Sequence, residues 1–405
     1  FDYKEIVVRI KCSPDQTELA VHGDDKQIRI WSLDENRVKQ VLEIPQQVSG
    51  GAIHNLVYSP DGRMLVAESH SHVVCWVRQG MGFRHCLSHA LVGLHRPSAF
   101  DRVIGRDIRS QFCGNSRFLV CQTSAEQLSI WDMNLRQPAE QEVNFGLDRP
   151  LEAFRILEGK PLRIAIASRW EPELGSEGTG RVAIYEPGDR FPLGKPLCFN
   201  ETCLQILHKP VEPGKEPGLL LCTESGVQSL TVGWNMDLRA TEGWPLGVDS
   251  TTGRPRYFFL GGKGKFLVVI KEKQAEIFDI QRGCRTGQLF EPAKFARWQV
   301  WDEKNNQLLS IGDNNRIHLW SHQGESRGQI RVHDNEVYAL DINTRGEVFS
   351  GGRDYRVRKS DDHLGRDYEI LGTHGPPGEP AWIWSLAFSP DGKYLVSSDA
   401  DGRVK

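Results

Sequence analysis

Short runs of apolar and polar residues, several of them strictly alternating, recur from one end of the chain to the other. The clearest are Ile28–Trp31, Val73–Trp76, Leu128–Trp131 and Ile317–Trp320, and each of them ends in tryptophan. Runs of this length and alternation are typical of half-buried β-strands. The chain shows no long stretch with the period of an amphipathic helix, so the pattern predicts an all-β protein built from many short strands.

The runs return at a regular distance, and similar turns connect them. Val182–Tyr185 and Glu276–Asp279 continue the series with another aromatic residue, so that the spacing is about 40 to 55 residues throughout. Ser13–Asp15, Ser59–Gly62 and Ser389–Gly392 share a Ser-Pro-Asp turn, in which proline presets the first turn position and aspartate suits the reversal. A repeated unit of four strands explains both observations.

The repeat divides the chain into eight complete units and the beginning of another. The predicted units are 7–44, 54–90, 108–145, 153–199, 203–240, 256–290, 296–331, 337–371, and a ninth that begins at Ile383.

On these residues the chain resembles the WD40-repeat β-propeller family, over essentially its whole length. The resemblance implies radially packed four-stranded blades with function on their surfaces. The repeats are degenerate in the middle and clear after residue 332, which favours seven blades in 1–331 and the start of a second propeller in 332–405. The alternative is one ring of eight or nine blades, with Phe1–Ile6 adding a strand to the last blade. Because the ninth repeat stops at Lys405 before its tryptophan position, we expect the sequence to be a piece of a longer protein.

The resemblance also implies a hydrogen-bonded network that stabilises individual blades. In the family it joins a histidine before the first strand, an aspartate in the tight turn before the third strand, a hydroxyl residue and the tryptophan. The matching residues are His333, Ser350 and Asp354 in one repeat, His374 and Asp401 in the last, and Asp25 and Trp31 in the first. Ser360 stands where tryptophan is expected. A buried His–Asp pair can also indicate catalysis, but no nucleophile accompanies this motif, so the network is interpreted as structural.

The family places recognition side chains just before the tight-turn aspartate. The matching positions, together with a tryptophan close to the start of a first strand, are the candidates for partner binding: Asp24, Ser69, Ser124, Asp313, Arg353 and Trp382. They carry both charge signs and two hydroxyl groups, which indicates a mixed polar partner rather than a nucleic acid. A tryptophan on such a surface is typical of an interface anchor.

Composition and charge narrow the function classes. The formal charge of −3 argues against a nucleic acid or an anionic membrane as the partner. The longest apolar stretches, such as Phe266–Ile270, are too short to span a bilayer. Nine scattered cysteines without a C-x-x-C pair are typical of free thiols in a reducing compartment, so we expect a cytoplasmic protein.

The chain shows no motif for a catalytic nucleophile, a metal or a nucleotide, so we expect no cofactor, no metal site and no enzymatic activity. The leading hypothesis is a non-catalytic interaction, scaffold or sensing module of a larger multidomain protein, which binds a protein or peptide on one face of the propeller. One alternative is an enzyme or ligand-binding site in the central channel. A second alternative is a purely structural spacer.

Overall fold

Short strands joined by tight turns make up the computed structural model. It describes residues 7–23, 27–45, 53–69, 71–91, 110–124, 126–134, 143–146, 151–157, 161–169, 180–187, 191–201, 203–209, 218–233, 235–246, 253–271, 274–290, 299–312, 315–331, 333–343, 345–360, 368–375, 381–388, 394–399 and 405. Within these ranges every regular element is a β-strand, so the all-β prediction is confirmed. The strands form eight four-stranded antiparallel sheets and one two-stranded sheet, which we number blade 1 to blade 9 in chain order.

The chain divides into two compact units. The first unit contains blades 1, 2, 7, 8 and 9. Blade 1 consists of β1 (Val7–Cys12), β2 (Glu18–Gly23), β3 (Ile28–Ser32) and β4 (Arg37–Leu42), and blade 2 of β5 (Ile53–Tyr58), β6 (Met64–Ser69), β7 (His72–Gln79) and β8 (Gly82–Ala90). Blade 7 consists of β25 (Gln299–Asp302), β26 (Gln307–Ile311), β27 (Ile317–Ser321) and β28 (Ser326–Ile330), blade 8 of β29 (Val337–Ile342), β30 (Val348–Gly352), β31 (Arg356–Ser360) and β32 (Tyr368–Thr373), and blade 9 of β33 (Ile383–Phe388) and β34 (Leu395–Asp399).

The second unit contains blades 3 to 5 and the first three strands of blade 6. Blade 3 consists of β9 (Ser110–Phe112), β10 (Phe118–Ser124), β11 (Gln127–Asp132) and β12 (Val143–Gly146), and blade 4 of β13 (Leu151–Leu157), β14 (Arg163–Arg169), β15 (Gly180–Tyr185) and β16 (Leu193–Phe199). Blade 5 consists of β17 (Cys203–Lys209), β18 (Gly218–Thr223), β19 (Gly226–Val232) and β20 (Leu238–Pro245). Blade 6 consists of β21 (Pro255–Gly261), β22 (Phe266–Lys271), β23 (Gln274–Asp279) and β24 (Cys284–Phe290). In every four-stranded blade the strands lie side by side in chain order.

The Ser-Pro-Asp turns show why the sequence reverses where it does. The Ser59 hydroxyl donates to Asp61 Oδ1 at 2.6 Å and accepts the Met64 N–H at 2.9 Å. Gly62 follows with a φ of +70°, a conformation that costs glycine little. Ser13 and Asp15 form the same 2.6 Å bond between β1 and β2. Side-chain hydrogen bonds therefore fix these two turns, each of which links a first strand to a second.

Apolar residues on the faces of adjacent blades form the cores. In the first unit one cluster joins blades 1 and 2, and another joins blades 7 and 8. In the second unit three clusters join blade 3 to 4, 4 to 5 and 5 to 6. Inner strands such as β6, β18 and β22 are buried along their whole length.

Blade 9 packs between blade 8 and blade 1. Ile383 and Leu386 of β33 share a cluster with Phe349 of β30, and the Asp341 carboxylate accepts the Phe388 N–H at 2.9 Å. On the other side, Val396 of β34 packs with Leu19, Val21 and Trp31 of blade 1. Lys405 exchanges two backbone hydrogen bonds with Ser397, which places it beside β34.

This arrangement bears on the predicted division of the chain. The eight complete repeats correspond to the eight four-stranded blades, but seven blades followed by the start of a second propeller are not confirmed. Contact between blade 9 and blade 1 is what the single-ring alternative predicts. Phe1–Ile6, assigned by that alternative to the last blade, lies outside the described residues.

Candidate functional site

Three chain segments converge at one end of blades 8 and 9. In an antiparallel sheet of this order, the beginning of the first strand and the turn between the second and third strands lie at the same end. The segment that leads into β29 carries Glu336, the turn from β30 to β31 carries Arg353, and the segment that leads into β33 carries Trp382. Two of the predicted partner-binding residues, Arg353 and Trp382, are therefore brought together.

Two β-bulges add aromatic side chains to this end. The pairing of β29 with β30 shifts by one residue between Val337 and Ala339, and that of β33 with β34 shifts between Ile383 and Ser385. The extra residue is Tyr338 in the first strand and Trp384 in the second. A bulge re-aims the side chain of the extra residue, which here leaves the regular alternation of its strand. Tyr338 and Trp384 consequently stack at a ring distance of 4.8 Å and an interplanar angle of 17°.

Tyr338, Trp382 and Trp384, with Glu336 and Arg353, form what we call the aromatic patch. Trp382 lies 6.0 Å from the Tyr338 ring and 6.1 Å from the Trp384 ring, measured between centroids. Tyr338 is buried beneath the other two rings, whereas Trp382 and Trp384 are 37% and 43% exposed. Exposed tryptophans are uncommon, and contiguous exposed apolar surface with a polar rim is typical of an interaction site.

An ion pair borders the aromatic patch. Glu336 Oε2 accepts hydrogen bonds from the Tyr338 hydroxyl at 2.9 Å and from Arg353 Nη1 at 3.0 Å. The Arg353 guanidinium also lies 4.9 Å from the centroid of the Trp382 ring, a cation–π distance. Both charged side chains remain partly exposed, so this pair contributes little to stability and orients the rings instead.

The turn that carries Arg353 is fixed by buried hydrogen bonds beneath it. His333 Nδ1 lies 2.7 Å from Asp354 Oδ1, and His333 Nε2 lies 2.8 Å from Ser350 Oγ. Because an ionised carboxylate only accepts, Nδ1 carries the proton and Nε2 accepts from the serine hydroxyl. Arg358, 1% exposed, donates to Asp354 Oδ2 at 2.9 Å from the other side. The three predicted network residues of this repeat are thus in contact.

The charge of Asp354 follows from these contacts. Burial by itself raises the pKa of the Asp354 carboxyl, but the hydrogen bond from His333 and the charge of Arg358 outweigh burial and hold the pKa below its ordinary value. Tyr355, the next residue, has a φ of +55°, a left-handed conformation that is uncommon for a bulky side chain. The buried network therefore holds a tight turn that would otherwise be strained.

Blade 9 has a similar network with a different carboxylate. His374 Nδ1 lies 2.8 Å from Asp399 Oδ2 and His374 Nε2 lies 2.7 Å from Ser397 Oγ. The sequence predicts Asp401 as the carboxylate of this network, and Asp401 lies outside the described residues. Ser397 and Asp399 are two residues apart in β34 and therefore project to the same face of the strand, so both reach the histidine.

The other predicted residues lie elsewhere. Ser69 is 1% exposed, and its hydroxyl accepts the His72 N–H at 2.9 Å inside a turn of blade 2. The contact role of Ser69 stays a prediction. Ser124 belongs to the second unit and accepts the Glu126 N–H at 3.2 Å. Trp31 is buried in blade 1. Asp24, Asp25 and Asp313 lie outside the described residues.

Sequence reasoning missed Tyr338, Trp384 and Glu336. The two aromatics fall inside strand-like runs, whose pattern does not separate them from core residues. The available signal was the Trp-x-Trp spacing at Trp382 and Trp384, which puts two large rings on one side of an extended segment. Neither the bulges nor the pairing of Glu336 with Arg353 leaves a sequence signal.

The described residues contain no group of three or more histidine, cysteine, aspartate or glutamate side chains placed as metal ligands would be. They also form no helix that is long and apolar enough to cross a membrane.

Comparisons with known proteins agree with the geometry. The family model described as WD domain, G-beta repeat matches residues 370–405. The mouse protein named intraflagellar transport protein 122 homolog is 24% identical over 157 residues, which cover 38% of this chain and 12% of that protein. Mouse striatin-4 is 27% identical over 126 residues, which cover 26% of this chain and 16% of that protein. The chain thus spans a small part of these relatives.

A solved structure extends the likeness in fold to most of the chain. The structure titled as a crystal structure of the eukaryotic initiation factor matches with a TM-score of 0.59 and 11% identity, and the match covers 92% of this chain and 90% of that one. At this identity the likeness shows the fold alone. The four-stranded blades of the described residues, the family-model match over residues 370–405 and the two relatives together support a WD40-repeat β-propeller.

Proposed function

We propose that this protein is a non-catalytic interaction module that binds a protein or peptide segment at the aromatic patch, as part of a longer polypeptide. WD40 propellers are in general protein-interaction or scaffold modules and are typically non-enzymatic. The observation that supports this function best is the pair of exposed tryptophans, Trp382 and Trp384, on a rigid support.

The support is what distinguishes the aromatic patch from scattered surface residues. Trp384 is held by stacking on Tyr338, and Tyr338 is held by its hydrogen bond to Glu336. Arg353 is held by the ion pair and by the turn above the buried His333 network. Groups whose positions are fixed before binding lose little conformational entropy on binding, and tryptophan and arginine are frequent interface hot spots.

A peptide selection tests this proposal. Random peptides of about twelve residues are displayed on phage and selected on the immobilised protein, and enriched peptides are then titrated by fluorescence anisotropy. Trp384→Ser is expected to weaken binding by about tenfold or more, because it removes an exposed anchor, and Trp384→Tyr is expected to retain much of it. Phe191→Ser is the matched control, since Phe191 is 81% exposed and belongs to another blade.

The outcomes separate the hypotheses. Peptides that lose affinity in Trp384→Ser but not in Phe191→Ser support the interaction module. If no peptide is enriched, or if enriched peptides bind both variants equally, the proposal fails. The two alternatives, a ligand or enzyme site in the central channel and a structural spacer, then take its place.

A further inference from the structure

A cavity lies beside the aromatic patch, between blades 7 and 8. Its volume is about 480 Å³, and the described residues that line it are Asn315, Arg316, Gln329, Arg331, His333 and Asp334. Asn315 and Arg316 come from the turn between the second and third strands of blade 7, and Arg331 to Asp334 come from the segment before β29. These are the same kinds of segment that form the aromatic patch, so the cavity opens at the same end of the blades.

Two arginines and one acidic residue are among the described residues that line the cavity. Arg331 is exposed, and the partly buried Arg316 is oriented by a 3.1 Å hydrogen bond from its Nη1 to Gln329 Oε1. The acidic residue, Asp334, is 76% exposed and lies 3.9 Å from the buried guanidinium of Arg358. His333 is engaged with Asp354 and Ser350. Two guanidinium groups around a polar cavity suit a carboxylate or a phosphate, which arginine binds through paired hydrogen bonds.

The cavity and the aromatic patch share their supporting residues. Asp334 in the cavity and Glu336 in the patch are two residues apart on one segment. His333, which lines the cavity, bonds to Asp354, the residue next to Arg353 of the patch. A single short extended chain can therefore contact both, with one side chain on the exposed tryptophans and another in the cavity.

From this geometry we infer that the ligand of the interaction site is an acidic peptide segment, which places an apolar side chain on Trp382 and Trp384 and an anionic side chain between Arg316 and Arg331. The inference rests on the proposed function. Among the described residues, the charged side chains of the cavity and the aromatic patch are Arg316, Arg331, Arg353, Asp334 and Glu336, and Glu336 is paired with Arg353.

Charge reversal in the cavity tests the inference. The phage library of random peptides is selected in parallel on the wild type, on Arg316→Glu with Arg331→Glu, and on a control with Arg63→Glu and Arg345→Glu. Arg63 and Arg345 are exposed and follow first strands, so they lie at the opposite end of their blades. We expect wild type and control to enrich peptides with Asp or Glu a few residues from an apolar residue, and the reversed cavity to enrich Lys or Arg there.

Titrations then measure the size of the effect. An acidic peptide from the wild-type selection is expected to bind the reversed cavity about tenfold or more weakly, and to bind wild type more weakly as salt rises. Matched synthetic peptides with Glu, phosphoserine or serine at the anionic position separate the two anions. Tighter binding of phosphoserine than of Glu assigns a phosphorylated ligand, tighter binding of Glu assigns a carboxylate ligand, and binding of serine equal to both overturns the inference.

The result that overturns the inference differs from the one that overturns the proposed function. If enriched peptides depend on Trp384 but show no acidic preference, and bind the reversed cavity as they bind wild type, the module binds peptides and the cavity has no part in it. If no peptide is enriched on wild type, both proposals fail. Thermal unfolding of the reversed variant, compared with wild type and with the control variant, checks that it is folded.

Discussion

Asp354 links the stability of blade 8 to the position of Arg353 in the aromatic patch. Its carboxylate bonds to His333 on one side and to the buried Arg358 on the other, while its neighbour Arg353 borders the aromatic patch. A buried charge without its partner is costly because it cannot recover its lost hydration. Substitutions at this residue therefore have large and specific effects.

Asp354→Ala leaves the Arg358 guanidinium buried without its closest carboxylate. We expect the free energy of unfolding to fall by about 3–5 kcal/mol, as measured by urea denaturation. The matched control is Asp334→Ala, because Asp334 is 76% exposed and is expected to change the free energy by less than about 0.5 kcal/mol. An equal effect of the two substitutions would contradict a buried, partnered role for Asp354.

The pH dependence of stability provides a separate test at this residue. Since the pKa of Asp354 in the folded protein is below its unfolded value of about 4, ionised Asp354 stabilises the fold. This stabilising contribution is fully present at pH values above the pKa of Asp354 in the unfolded protein, and it is lost as the pH falls through the pKa of Asp354 in the folded protein. The stability difference between wild type and Asp354→Asn, followed by thermal unfolding from pH 7 to pH 3, should therefore shrink as pH falls. A constant difference would show that Asp354 is not the ionised group assumed here.

At the scale of elements, the register of β33 against its neighbours places the tryptophans. A Cβ atom on Gly351 of β30 would lie 2.5 Å from Ile383 Cγ2, so β33 approaches β30 as closely as glycine permits. Ile383 is flanked by Trp382 and Trp384. A displacement of β33 would accordingly move both rings away from Tyr338 and Arg353.

Gly351→Ala tests this coupling of packing to binding. We expect a loss of about 1–3 kcal/mol in the free energy of unfolding, together with weaker binding of peptides selected on wild type. Gly372→Ala in β32 is the control, because a Cβ there has no heavy atom within 4 Å. Unchanged affinity in a Gly351→Ala variant that is clearly destabilised would show that the aromatic patch does not depend on this register.

The sequence predicts these elements well and the site only partly. Alternation and Ser-Pro-Asp turns locate the repeats because the alternation along a strand and the hydrogen bonds within a turn involve residues that are close together in the sequence. Arg353 and Trp382 are found because they occupy recognisable positions next to a turn and a strand. Tyr338 and Trp384 are missed because a β-bulge, which is set by pairing with another strand, changes the direction of their side chains. The choice of Asp399 by His374 also depends on three-dimensional approach.

At the scale of the whole chain, blade 9 connects the last repeats to the first. Val396 is buried against Leu19, Val21 and Trp31 of blade 1, and Ile383 is buried against blade 8. If residues 1–331 were a complete propeller, we would expect residues up to 331 to cover these surfaces of blade 1. Of the two divisions of the chain that the sequence left open, a single ring is the one that predicts this contact, and a direct test is needed to decide between them.

Val396→Asp in the full chain tests that contact. It places a charge in an apolar cluster, and we expect the free energy of unfolding to fall by about 2 kcal/mol or more, whereas Ala387→Asp at an exposed position of β33 changes it little. A chain that ends at Arg331 is expected to unfold at a lower temperature and to be cut readily by protease. A protease-resistant 1–331 fragment as stable as the full chain, with a neutral Val396→Asp, would instead support seven blades.

Radical footprinting of the peptide complex tests the central claim most directly. The protein is oxidised by hydroxyl radicals with and without a saturating selected peptide, and modification of each aromatic residue is measured by mass spectrometry. We expect the peptide to protect Trp382 and Trp384, now 37% and 43% exposed, and to leave the exposed Phe191 and Tyr368 as reactive as before. Bound peptide that leaves both tryptophans fully reactive and protects another surface would contradict the assignment of the aromatic patch as the binding site.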